Sequence, residues 1–149
     1  MKKRYRSGGV LLVVALMVFG SSAWARDTQH DFPIEGGLAQ PDAKAKITIP
    51  LYFGAQKPGK KVVQTLGEYS TSKKTNAFGK SDEAACNWAF LSALLTLQSR
   101  AHKEGGNAII NIKSNYRGDE TSSETTYQCG AGNIMAGVAL KGTVVKLSD

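Results

Sequence analysis

The chain has 149 residues and sets 19 Lys and Arg against 12 Asp and Glu, for a formal charge of +7. Four of those cations fall within the first six residues and every acid lies beyond residue 25, so the rest of the chain carries only +3, too little to argue for nucleic-acid binding. Two histidines are too few for a histidine-based metal centre within one subunit.

Lys2, Lys3, Arg4 and Arg6, an apolar run from Val10 to Phe19 and the small-residue site Ala23-Trp24-Ala25 have the layout of a secretory signal cleaved after Ala25. Gly9 to Ala25 only just reaches the roughly 17 residues that a spanning helix needs, and no cysteine near the site could carry a lipid. The expected mature protein is periplasmic or secreted, with no stable membrane anchor after cleavage. It is long enough for one domain with one core.

Residues 26–45 hold Pro33, Gly36, Gly37 and Pro41 without periodicity and predict a flexible leader, followed by a single α/β domain over 46–149. Ile47, Ile49, Leu51 and Phe53 alternate with polar or proline positions, and Pro50, unable to donate to a ladder, places this strand at a sheet edge. Lys57-Pro58-Gly59-Lys60 is a turn, Val62 to Tyr69 the next strand, and Ser70 to Lys80 a polar loop. Its Lys73 and Lys74 belong to a lysine cluster with no interleaved aromatics, which suits solvent or an anionic envelope polymer rather than stacked bases.

Ser81, followed by Asp82 and Glu83, marks a helix start, and Arg100, His102, Lys103 and Gly105 mark its end. Cys86, Phe90, Ala93, Leu94, Leu97 and Ala101 form one apolar stripe for a sheet. Trp88, Leu91 and Leu95 lie on a second sector that needs its own cover. They are candidates for an interaction surface, met by a partner or by a second copy in a homo-oligomer.

Beyond Gly106 the period becomes two, with Ala108, Ile110 and Ile112 on one side of a strand and Ile109 on the other. A polar excursion with an acidic tip at Asp119, Glu120 and Glu124 leads to a Thr- and Tyr-rich strand ending at Cys129. The glycines of Cys129-Gly130-Ala131-Gly132-Asn133 read as tight turns. Ile134, Ala136, Val138 and Leu140 then alternate, and Gly142 reads as a bulge handing the inner face to Val145 and Leu147. The fold class expected is α+β, with one main helix packed on an antiparallel-rich sheet of about four to five strands.

Two cysteines in an exported chain predict a disulfide between Cys86 and Cys129. No GxSxG, P-loop or HExxH pattern occurs, so the residues predict no enzyme, no catalytic group and no cofactor.

The run Ala101-His-Lys-Glu-Gly-Gly-Asn-Ala-Ile-Ile-Asn-Ile, then Tyr116, then Ile134-Met-Ala-Gly-Val-Ala-Leu-Lys-Gly-Thr-Val-Val-Lys resembles the YbjQ-type family and, more distantly, RcsF-like envelope stress sensors. The resemblance covers about Val62 to Leu147 and implies a small α/β domain in a family labelled as heavy-metal binding and often assembled into rings. Exported members are sometimes labelled excinuclease ATPase subunits, but this chain has no residues that could bind a nucleotide. The function expected is a non-enzymatic periplasmic domain binding a protein or envelope component, as an accessory factor in envelope stress. The alternative is a small-ligand or heavy-metal module whose site is built between subunits.

Overall fold

A computed structural model describes residues 25–149 of the protein. The signal-like segment up to Trp24 lies outside the described residues. In chain order the elements are β1 (Thr28–Pro33), α1 (Ile34–Leu38), α2 (Pro41–Lys46), β2 (Leu51–Phe53), β3 (Val62–Asn76), α3 (Asp82–Lys103), β4 (Ala108–Tyr116), β5 (Asp119–Thr121), β6 (Thr126–Ala131) and β7 (Met135–Leu147).

These elements correct the expected fold class. Instead of one helix across four or five largely antiparallel strands, the described residues form one seven-stranded mixed sheet and three helices. β7 is its hub: β3 runs along one side for the full length, while β4 and β6 share the other side in succession. β1 pairs antiparallel with β6, and β5 with β4. β2 pairs parallel with β4, because the chain between them passes through β3 and crosses over by way of α3.

The segment 26–45 is not a flexible leader. Its first part adds β1 to the sheet, and its Gly36-Gly37 pair lies against Glu83, Asn87 and Phe90 of α3, where a side chain at Gly37 would collide with the Phe90 ring. The chain then crosses the same helix farther along, with the Thr48 N–H donating to the Gln98 side chain and Gln98 donating back to the Lys46 carbonyl. Residues 46–50 are consequently not a strand, and only Leu51–Phe53 pair at the sheet edge.

α3 follows from its own sequence. The Ser81 hydroxyl accepts from the Ala84 N–H at 3.1 Å, and Gly105, at φ 77°, closes the other end. The stripe from Cys86 to Ala101 is fully buried against the sheet.

Two readings of the sheet's interior change. β4 carries its irregularity between Ile110 and Lys113, where Asn111 takes φ 52°, a left-handed conformation that Asn tolerates better than most side chains. The bulge turns both Ile109 and Ile112 toward α3 and leaves Ala108 and Ile110 on the opposite, open face. Gly142 is not a bulge: its pairing with Tyr69 is regular, and a methyl group there would lie 2.8 Å from Ile109 and 3.2 Å from Ile112. Val145 and Leu147 simply belong to the open face, where they pack with Ala108, Tyr52 and Val62.

Candidate functional site

The open face holds a groove of about 660 Å³ at the end of the sheet where β6 and β7 meet. Alternation along β7 turns Val138 and Leu140 toward α3 and leaves Gly137 and Ala139 as small residues on the groove floor. Gly130, within β6 rather than in a turn, completes that floor for a specific reason. A methyl group on it would come within 1.8 Å of the Tyr116 hydroxyl, so only glycine lets the Tyr116 ring lie across the strand.

Tyr116 and Arg117 form one wall. Arg117, at φ 55°, begins the turn after β4 and sets its guanidinium 5.4 Å from the Tyr116 ring centre while pairing with Asp27. The Tyr116 hydroxyl donates to the same Asp27 carboxylate at 3.2 Å. Ser72 and Lys74 of β3 form the facing lip, and Ile134 and Met135 close one end while remaining 67% and 46% exposed. The alternation with Ala136, Val138 and Leu140 places Ile134 in the last strand. It precedes β7 instead, and its carbonyl accepts from the Ala77 N–H.

Arg26 ties the start of the described chain to this site. Its guanidinium makes two 2.8 Å hydrogen bonds to Asp82 at the start of α3, and it also donates to the Asn133 side chain and the Gly132 carbonyl. His30 lies 3.0 Å from the same carboxylate. The Arg26 guanidinium, helped by His30, holds the Asp82 carboxyl down at about 2. Arg26 and Arg117 are thus each neutralised by an acid. Lys74 has no carboxylate within salt-bridge reach among the described residues, which leaves one uncompensated cation on an otherwise apolar groove.

At the acidic tip, Glu120 is equally committed. Glu120 bonds Lys113 at 2.6 Å and Lys141 at 2.7 Å, and these two ammonium groups hold its carboxyl down at about 2. Lys141 is pushed up by Glu120 and Glu68. Among the described residues no three His, Cys, Asp or Glu side chains converge as a metal site would require.

Of the residues singled out from sequence, Cys86 and Cys129 form a disulfide, both fully buried, with their Cα atoms 5.9 Å apart. The proposed apolar sector does not stand as a surface. Trp88 is 43% exposed, but Leu91 is buried and Leu95 half-buried, and the chain at Lys46–Thr48 is bonded to Gln98 on this side of α3. Lys73 and Lys74 lie in β3 rather than in a loop and point to opposite faces, so only Lys74 reaches the groove. Sequence reasoning missed Tyr116, Gly130 and Met135 as site residues. The small residues of 130–139 were the available signal, because such a run in a strand marks a close approach.

No protein-family model matches the chain, and no curated protein matches it significantly.

Proposed function

We propose that this is an exported, disulfide-stabilised binding domain, without chemistry of its own, that takes a protein or another envelope component into the groove beside Tyr116. The observation that carries the reading is the groove's composition. An apolar floor of Gly130, Gly137 and Ala139, with exposed Ile134 and Met135 at one end, favours an apolar or aromatic ligand group, and Lys74 favours a nearby anion. The charged groups around it are already engaged with one another and serve as positioning pairs.

The disulfide and the absence of a membrane-spanning helix among the described residues are compatible with a periplasmic or extracellular location. The signal-like start of the sequence supports export, to the periplasm or beyond it.

A photo-crosslinking amino acid at Met135 tests the reading in living cells. The expected result is a discrete crosslinked species that disappears when Tyr116→Ala is added. A crosslink pattern indistinguishable from that of the same probe at Lys57, away from the groove, would overturn it.

A further inference from the structure

Folded proteins keep their sheet edges short, bulged or covered, because an open edge is a template for another strand. Three edge segments here obey that rule: β2 and β5 have three residues each, and β1 has six and ends at Pro33. β3 does not. It has fifteen residues without proline, pairs on one side only, and contains no buried residue. Its two irregularities are confined to Val62–Gly67, and from Gly67 to Asn76 its register against β7 is unbroken.

The charges along this stretch select a partner. In antiparallel pairing about a two-fold axis normal to the sheet, residues opposite each other share a face, so the axis must pass through one residue. An axis at Glu68, Lys73 or Lys74 sets like charges face to face. An axis at Ser70 or Ser72 leaves Glu68 opposite Ser72 or Asn76. With the axis at Thr71, Glu68 stands opposite Lys74, and the symmetry supplies this pair twice. Both side chains are on the open face: Glu68 bonds Lys141 there, and Lys74 lines the groove. Lys74 also has no carboxylate within salt-bridge reach among the described residues.

We propose that two copies of this chain pair antiparallel along β3, centred on Thr71, to form a dimer with one continuous sheet and reciprocal Glu68–Lys74 pairs. Pairing brings Ser72 and Lys74, two groove-lining residues, to the seam, so the two grooves open onto one shared face. The inference stands whether or not the groove binds the class of ligand suggested above.

Charge reversal in sedimentation equilibrium tests it, using the oxidised exported protein. Wild type should form a reversible dimer. Glu68→Lys and Lys74→Glu, each alone, replace two attractions by two repulsions and should weaken association by about tenfold or more. Mixing the two variants makes every cross-strand pair complementary again, and the mixture should associate like wild type. Lys74→Glu has no ion pair to lose within the chain, so it reports association even if Glu68→Lys misfolds. A wild type that stays monomeric at its highest soluble concentration, variants that dimerise undiminished, or two folded variants whose mixture fails to recover would each overturn the proposal. The first of these would mean that Lys73 and Lys74 guard the edge instead of joining it.

Discussion

Tyr127 shows how closely single residues fasten the helix to the sheet. Its ring stacks on Phe90 with centroids 4.0 Å apart, and its hydroxyl donates to the Asn87 side chain at 2.6 Å in the buried interior. Burial, reinforced by the Glu83 charge, pushes the phenol's ionisation up, so the hydroxyl remains a donor at any ordinary pH. Tyr127→Phe should therefore cost about 1–3 kcal/mol, because it strands the Asn87 oxygen, and a denaturant titration checks it. Gly130→Ala should cost a similar ~1–3 kcal/mol through its collision with Tyr116. Adding Tyr116→Ala should recover most of that loss, and two penalties that simply add would show the residues to be uncoupled. At this scale the cysteine pair was legible, because an even count in an exported chain constrains it. Tyr116 was not, since a lone aromatic in a polar stretch carries no period.

At the scale of elements, α3 is held at its first half by two different devices: the Cys86–Cys129 bond to β6 and the Arg26–Asp82–His30 cluster beside β1. Joining residues 43 positions apart in sequence, the disulfide should stabilise the fold by about 4 kcal/mol, seen as a lower melting temperature after reduction. Thiol labelling of unfolded, unreduced protein should find no free cysteine. The cluster has a pH signature. The Asp82 carboxyl titrates lower in the folded chain, at about 2, than its unfolded value of about 4, so folding is favoured when the group is ionised. Its stabilisation is complete above about pH 5 and is lost as pH falls from about 4 toward about 2. Asp82→Asn should flatten this acid limb, leaving the part due to Glu120, and an unchanged slope would remove Asp82 from the account. Caps and a clear stripe made α3 readable from sequence. β3 was readable only to Tyr69, because an edge strand with no buried residue has no apolar alternation to display.

The topology of the whole molecule was the least legible level. Nothing local announces that β2 will lie parallel to β4, that a Gly- and Pro-bearing segment will supply β1, or that one strand will serve three neighbours. Export is the prediction that belongs here: the N-terminal residue of protein recovered from the periplasm should be Arg26, the residue that grips Asp82. Full-length chain retained in the membrane fraction would oppose it. The position of the hub strand has a bearing on timing. β7 is the last of the described elements to leave the ribosome, and without it β3 has no partner, β6 has only β1, and β4 has only two three-residue neighbours. β1 must likewise wait about a hundred residues of synthesis for β6. The nascent chain therefore cannot complete its sheet until β7 has been made. For a chain exported as it is synthesised, that order would place completion of the sheet after β7 has crossed, where the thiols of Cys86 and Cys129 can be oxidised.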